Sequence, residues 1–113
     1  MRLPIDTSRL RFLVVAEAEP LKKFEDGKPR EAWAPRTDEN GELLWRVQLV
    51  ALGNGEAEMI LVVVPGDPGV QAAEMVRVDA MTAQAWEMDG RNGMSFRAQS
   101  IRPLSARAEK AAA

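Results

Sequence analysis

Apolar and polar residues alternate along five stretches of this chain. From Arg9 to Ala18, Leu10, Phe12 and Val14 fall on one side and Arg9, Arg11, Leu13 and Val15 on the other. From Leu43 to Leu52, Trp45, Val47, Leu49 and Ala51 oppose Leu44, Arg46, Gln48, Val50 and Leu52. Val76, Val78 and Ala80 alternate with Arg77, Asp79 and Met81, and Met94, Phe96 and Ala98 with Ser95, Arg97 and Gln99. A period of two in β-branched and aromatic residues marks strands with one buried face. Ala57–Val64 is the fifth stretch, and its second half, Met59-Ile60-Leu61-Val62-Val63-Val64, is apolar on both faces. Such a strand needs cover on both sides: a helix, a long loop or another subunit. The pattern predicts strands over 9–18, 43–52, 57–64, 75–83 and 94–102.

The breaks between these stretches carry turn chemistry. Gly53-Asn54-Gly55 is a hairpin turn, because glycine and asparagine accept positive φ. Asp89-Gly90-Arg91-Asn92-Gly93 is a second turn cluster, with Trp86 just before it on the connection. Pro65-Gly66-Asp67-Pro68-Gly69 ends the third strand sharply, and Val70–Glu74 has room for only about one helical turn. Residues 20–42 keep no period; Lys22, Lys23, Lys28, Arg30 and Arg36 mix there with Glu25, Asp26, Glu31, Asp38 and Glu39. They read as a flexible, charged hairpin arm, on which Trp33 either folds back as a lid or stays exposed. The alanine-rich tail 105–113 lacks a packing face and is expected to be disordered.

Five short antiparallel strands that must bury one face each make a small all-β barrel, and the chain of 113 residues has length for one such domain, 1–104. The oligonucleotide-binding (OB) architecture has a long loop after strand one and a helix between strands three and four, here reduced to a vestige at Asp67–Glu74. A small open barrel or an SH3-like barrel is the alternative.

Composition narrows the chemistry. There is no cysteine and no histidine, which removes disulfides, thiolate chemistry, the commonest general base and the usual zinc ligand. Asp26, Glu31, Asp38 and Glu39 lie without repeated spacing in the charged arm and read as solvated surface. Asp67 and Asp89 flank glycines as turn residues do, with a metal site as the weak alternative, and no glycine-rich loop leads into a helix. The expectation is a protein without catalytic residues, cofactor or metal. The start of the chain lacks the apolar core of a signal peptide, and the Met59–Val64 run is too short to cross a bilayer, so a cytoplasmic protein without a membrane partner is expected.

A net charge of −2 gives no overall attraction to a polyanion, so a nucleic-acid role needs a local basic face. Single strands are held by aromatic platforms beside cations. The candidates are Arg46, Gln48, Arg77 and Arg97 on strands, with Trp33, Trp86 and Arg91 on loops beside them. The plain alternative is that these arginines form the solvated face of a sheet. Trp45 and Phe96, with apolar face-mates, are expected in the core.

An ordered series of short motifs adds a family resemblance. Ile5-Asp6-Thr7-Ser8-Arg9-Leu10, Arg46-Val47, Val50-Ala51-Leu52, Val63-Val64-Pro65-Gly66, Ala85-Trp86-Glu87 and Gly93-Met94-Ser95-Phe96-Arg97-Ala98 together resemble the actinobacterial plasmid replication, integration and excision activators (Pra-like regulatory proteins). The resemblance spans roughly 4–103. It implies a non-enzymatic regulator of an integrative element and supplies no binding motif. Two functions are then in competition. One is a single-stranded DNA-binding module. The other is an adaptor for a replication initiator or recombinase, with the apolar strand 59–64 able to build a homodimer.

Overall fold

The structure, a computed structural model, describes residues 2–23 and 25–104. All its strands belong to one sheet: β1 (Arg2–Pro4), β2 (Arg11–Pro20), β3 (Leu44–Gly53), β4 (Glu56–Pro65), β5 (Met75–Asp79), β6 (Thr82–Met88), β7 (Arg91–Arg97) and β8 (Ser100–Pro103). The order across the sheet is β1-β6-β7-β4-β3-β2-β5-β8. Every pairing is antiparallel except β4 with β7, which is parallel.

The all-β reading therefore holds, but the sheet is an eight-stranded, curled, mixed half-barrel rather than a closed five-stranded antiparallel barrel. Two predicted strands are each split. The 75–83 stretch breaks at Ala80, whose φ of 52° turns a corner, so β5 pairs with β2 and β8 while β6 pairs with β1 and β7. The 94–102 stretch breaks at Ala98-Gln99: its first half lies on β4 and its second on β5. That shared strand is what bends the sheet. The lead-in also contributes, because Arg2, Leu3 and Pro4 pair with Gln84, Ala83 and Thr82.

The two tight hairpins follow from their turn residues. Asn54 and Gly55 (φ 52° and 74°) join β3 to β4, and Asp89 and Gly90 (φ 52° and 76°) join β6 to β7. Two successive positive φ angles make a type I′ turn, whose twist matches the strands it joins. The second turn is thus two residues long, and Trp86 lies within β6 rather than on a connection.

The concave face holds the core: Phe12 and Val14, Val47 and Leu49, Val62 and Val64, Val76 and Val78, and Ile101. Burying each such side chain contributes roughly 1.5–3 kcal/mol. Trp45 and Phe96 pack against this cluster while half-buried. The helix expected at Asp67–Glu74 is absent. That segment is a loop pinned by Asp67 Oδ1 accepting from the Gly69 N–H (2.9 Å) and Glu74 Oε1 from the Gln71 N–H (2.9 Å). Two prolines and two glycines between 65 and 69 leave too few residues to nucleate a helix. Its Val70, 5% exposed, fills the end of the core instead.

The arm is a paired excursion. Lys22 bridges Pro35 and Thr37 bridges Leu43, and the Arg36 N–H donates to the Leu21 carbonyl (2.8 Å). A 3-10 turn, Arg30–Ala32, sits at its far end. The tail 105–113 lies outside the described residues. No helix among them is long and apolar enough to cross a membrane.

Candidate nucleic-acid interface

On the convex face, side chains of β3, β4, β7, β6 and β1 form cross-strand rows. Glu19 pairs with Arg46, Arg46 with Val63, Val63 with Arg97, and Arg97 with Thr82. Two strand spacings separate Arg46 from Arg97, about 10 Å between Cα atoms. One row further on stand Gln48 beside Leu61 and Arg2, Gln84 and Ser95 side by side. The next row holds Trp86 opposite Gly93. Residues two apart share a face, so Arg46, Gln48, Arg97 and Trp86 all look outward on this one surface.

Trp86 is held by the absence of a side chain across from it. Its ring lies over Gly93, where an added Cβ would sit 2.7 Å from Cζ2 and 3.0 Å from Cε2. Only glycine admits that approach. The indole stays 45% exposed, which leaves part of its surface open to a stacking partner.

Arg97 is half-buried on this face. Burial lowers its pKa, and the charges of Arg2 and then Arg36 lower it further; Asp38 and Glu39 act the other way and more weakly. It remains protonated at neutral pH. Among the described residues no acceptor or carboxylate contacts the guanidinium of Arg97, Arg2 or Arg36. Two like charges, Arg2 and Arg36, thus lie around the half-buried Arg97 guanidinium. Asp38 is committed elsewhere, its Oδ1 accepting from the Asn40 and Glu42 N–H groups (2.9 Å each).

The remaining candidates divide. Arg46 is on the face but its Nη2 is tied to Glu19 Oε2 at 3.1 Å. Arg91 stands at the tip of the β6–β7 hairpin, opposite Met88. Trp33 is in the arm, half-buried, its indole N–H donating to the Lys28 carbonyl (2.9 Å).

Arg77 is not brought to this surface: β2 and β5 carry it round the curl, away from β3. There it joins a clamp across β5 and β8 in which Arg77 Nε (2.9 Å) and Arg102 Nε (2.9 Å) donate to the Asp79 carboxylate, as does the Ser100 hydroxyl (2.8 Å). Burial pushes the Asp79 pKa up, yet the bonds from Ser100, Arg102 and Arg77 and the charge of Arg102 outweigh it and hold the carboxyl below its usual range.

Local spacing missed Arg2 and Arg36, because β1 pairing brings Arg2 to the face and the arm, bonded back to Leu21 and Leu44, brings Arg36 within electrostatic range of Arg97. It also missed an apolar groove of about 710 Å³ between β4 and the β6–β7 hairpin, lined by Met59, Leu61, Trp86, Met94 and Phe96 among others. The signal for the groove was present in the sequence: Met59 and Leu61 belong to the doubly apolar stretch, and their side is open, at 60% and 43% exposure. Among the described residues no group of three or more acidic side chains gathers as a metal site would require. Compared with protein-family models, curated proteins and solved structures, the chain matches none.

Proposed function

We propose that this chain is a non-enzymatic accessory protein that binds single-stranded DNA across the convex surface of β3, β4, β7 and β6. The observation that carries the reading is the half-buried Arg97 with Arg2 and Arg36 around it and no contacting carboxylate. A phosphodiester entering there relieves the mutual repulsion of three cations and supplies the acceptors they lack. Trp86, four residues along the strand pair from Arg97, offers an aromatic surface for a base, and Gln48, Gln84 and Ser95 supply hydrogen-bonding groups between them. Arg46 would exchange Glu19 for a phosphate.

The strand order supports an OB-like, partly open barrel as the finer description. In that architecture the second and third long strands, with the loops after strands one and four, form the oligonucleotide-binding face. Here those parts correspond to β3 and β4, the charged arm and the β6–β7 hairpin. In the cell we place the protein in the cytoplasm, as a regulator of replication, integration and excision of an integrative plasmid, the setting that the motif series from Ile5 to Ala98 implies.

Fluorescence anisotropy with a labelled thymidine oligonucleotide tests the proposal. Binding should weaken with salt, with a log–log slope of roughly −0.7 per phosphate contact, so Arg97→Ala should flatten it by about that amount. Trp86→Ala should cost about 1–3 kcal/mol per stacked base. No binding at low salt would refute the reading. The adaptor reading is favoured by a separate feature, the groove beside β4.

A further inference from the structure

The groove between β4 and β7 is a gap in the sheet itself. The two strands are laddered only at Val62–Val63 with Phe96–Arg97, and the Ala98 N–H closes the seam on the Val63 carbonyl (3.0 Å). Before that point the strands part: Glu56–Leu61 pairs only with β3, and Arg91–Ser95 only with β6. The lining confirms the gap, because residues of both sheet faces reach it: Met59, Leu61 and Trp86 from the convex side, Ile60, Met94 and Phe96 from the concave side.

Register fixes which backbone groups face the gap. A two-residue turn makes its flanking pair hydrogen-bonded, and bonded and non-bonded pairs then alternate. From Gly53↔Glu56, the N–H and C=O groups of Ala57, Met59 and Leu61 therefore point away from β3. From Met88↔Arg91, those of Asn92 and Met94 point away from β6. The two sets face one another across the wedge. The Leu61 carbonyl is taken up by the Phe96 N–H at the Val62–Phe96 ladder step; the other groups of the two rows have no ladder partner, and an extended polypeptide satisfies both edges.

We propose that this wedge captures an extended segment of a partner protein, which enters as an additional strand between β4 and β7. Its side chains alternate between two environments. Outward ones meet Met59, Leu61 and Trp86, and inward ones meet Ile60 and Phe96 at the mouth of a second cavity of about 230 Å³ lined by Leu10, Phe12 and Met81. That cavity takes one apolar side chain. Glu58 borders both spaces and Glu56 the second, and both share the inward face of β4 with Ile60, so charge complementarity selects a lysine or arginine two residues from that apolar residue, on the same face. The occupant is a short, extended, basic–apolar peptide. The proposal does not depend on DNA binding: the wedge shares Trp86, Gln48 and Ser95 with the surface proposed for DNA, but its capture of a strand rests on backbone groups of β4 and β7 and not on the Arg2–Arg36–Arg97 cluster.

The test is amide NMR on the full-length, isotope-labelled protein with a short peptide of alternating valine and lysine carrying one central leucine. The Met59, Leu61 and Met94 amides should shift on titration, and their hydrogen exchange should slow at least tenfold. The same peptide N-methylated at alternate residues should bind at least tenfold more weakly. Equal binding by the N-methylated peptide overturns the proposal, because apolar contact would then suffice. So does absence of protection with peptide, or protection of those three amides by a thymidine oligonucleotide alone. Leu61→Lys, at an exposed position that leaves the core untouched, should weaken peptide binding at least tenfold; unchanged peptide affinity counts against the wedge.

Discussion

Gly93→Ala is the sharpest perturbation the structure offers, because its sign should depend on one other residue. Elsewhere in an extended strand, replacing glycine by alanine stabilises by roughly 0.5–1 kcal/mol, by reducing the freedom of the unfolded chain. Here the new methyl would lie 2.7 Å from Trp86 Cζ2, 3.0 Å from Cε2 and 3.2 Å from Nε1, against ordinary contacts of 3.4–4 Å. The indole must swing off the strand. Overpacking of a closed core costs about 1–3 kcal/mol, but a ring that is 45% exposed can move, which puts the penalty near the lower end, about 1 kcal/mol. The ring also loses its cross-strand contact, about 0.2–1 kcal/mol. The sum is a substitution that is neutral to destabilising by about 1 kcal/mol in the native background. With Trp86→Ala already in place the obstacle is gone, and the same change should stabilise by about 0.5–1 kcal/mol. Urea denaturation of the four proteins of the double-mutant cycle measures the coupling, expected at about 1–2 kcal/mol. Tryptophan emission of Gly93→Ala should shift to longer wavelength as the ring enters water. Additive effects within about 0.3 kcal/mol would refute the claim that glycine at 93 is there to seat the indole.

Three further outcomes follow from geometry. Ala80→Gly should stabilise by about 0.5–1 kcal/mol in thermal or urea unfolding, since an L-residue at φ 52° carries about 1–2 kcal/mol of strain, partly offset by the greater freedom of glycine when unfolded. Val70→Ala should cost about 2 kcal/mol, from lost burial plus a cavity at the end of the core, read as a lower urea midpoint at unchanged slope. The Asp79 carboxyl has a lowered pKa in the folded state, so its stabilisation is present above the unfolded carboxylate value near 3.9 and is lost as pH falls through the lower folded value. Asp79→Asn should therefore cost about 0.5–1 kcal/mol at pH 7 and flatten the acid limb of the stability–pH curve.

How far the sequence could carry these conclusions is plain from individual residues. Asn54-Gly55 and the alternation on either side of it fix the β3–β4 hairpin, because period and turn chemistry are local properties. Ala80 broke the reading of one strand, since nothing in an alanine announces a left-handed backbone; the corner is imposed by pairing with β2 and β8 on one side and β1 and β7 on the other. The parallel β4–β7 seam was invisible for the same reason: it joins residues some 34 positions apart, Val62 and Phe96, with no local signature. Of the candidate site, alternation correctly gave the outward face of Arg46, Gln48 and Arg97. It gave no warning that Glu19 would meet Arg46, or that Arg77 would be turned away to Asp79.

The shared strand 91–103 also sets the order in which the chain can assemble. The two I′ hairpins close over a few residues and can form within about 1–10 μs, whereas the seam holding β4 to β7 must wait for Phe96 and Arg97. During synthesis from the N-terminus, the Met59–Val64 strand is therefore complete some 32 residues before its second partner exists. An apolar, β-branched run with one bare edge is the sort of segment that nucleates intermolecular sheets. Glu56 and Glu58 precede it directly, charged side chains flanking an unavoidable sticky strand. Neutralising both should raise aggregation of the nascent chain more than it changes the stability of the finished fold.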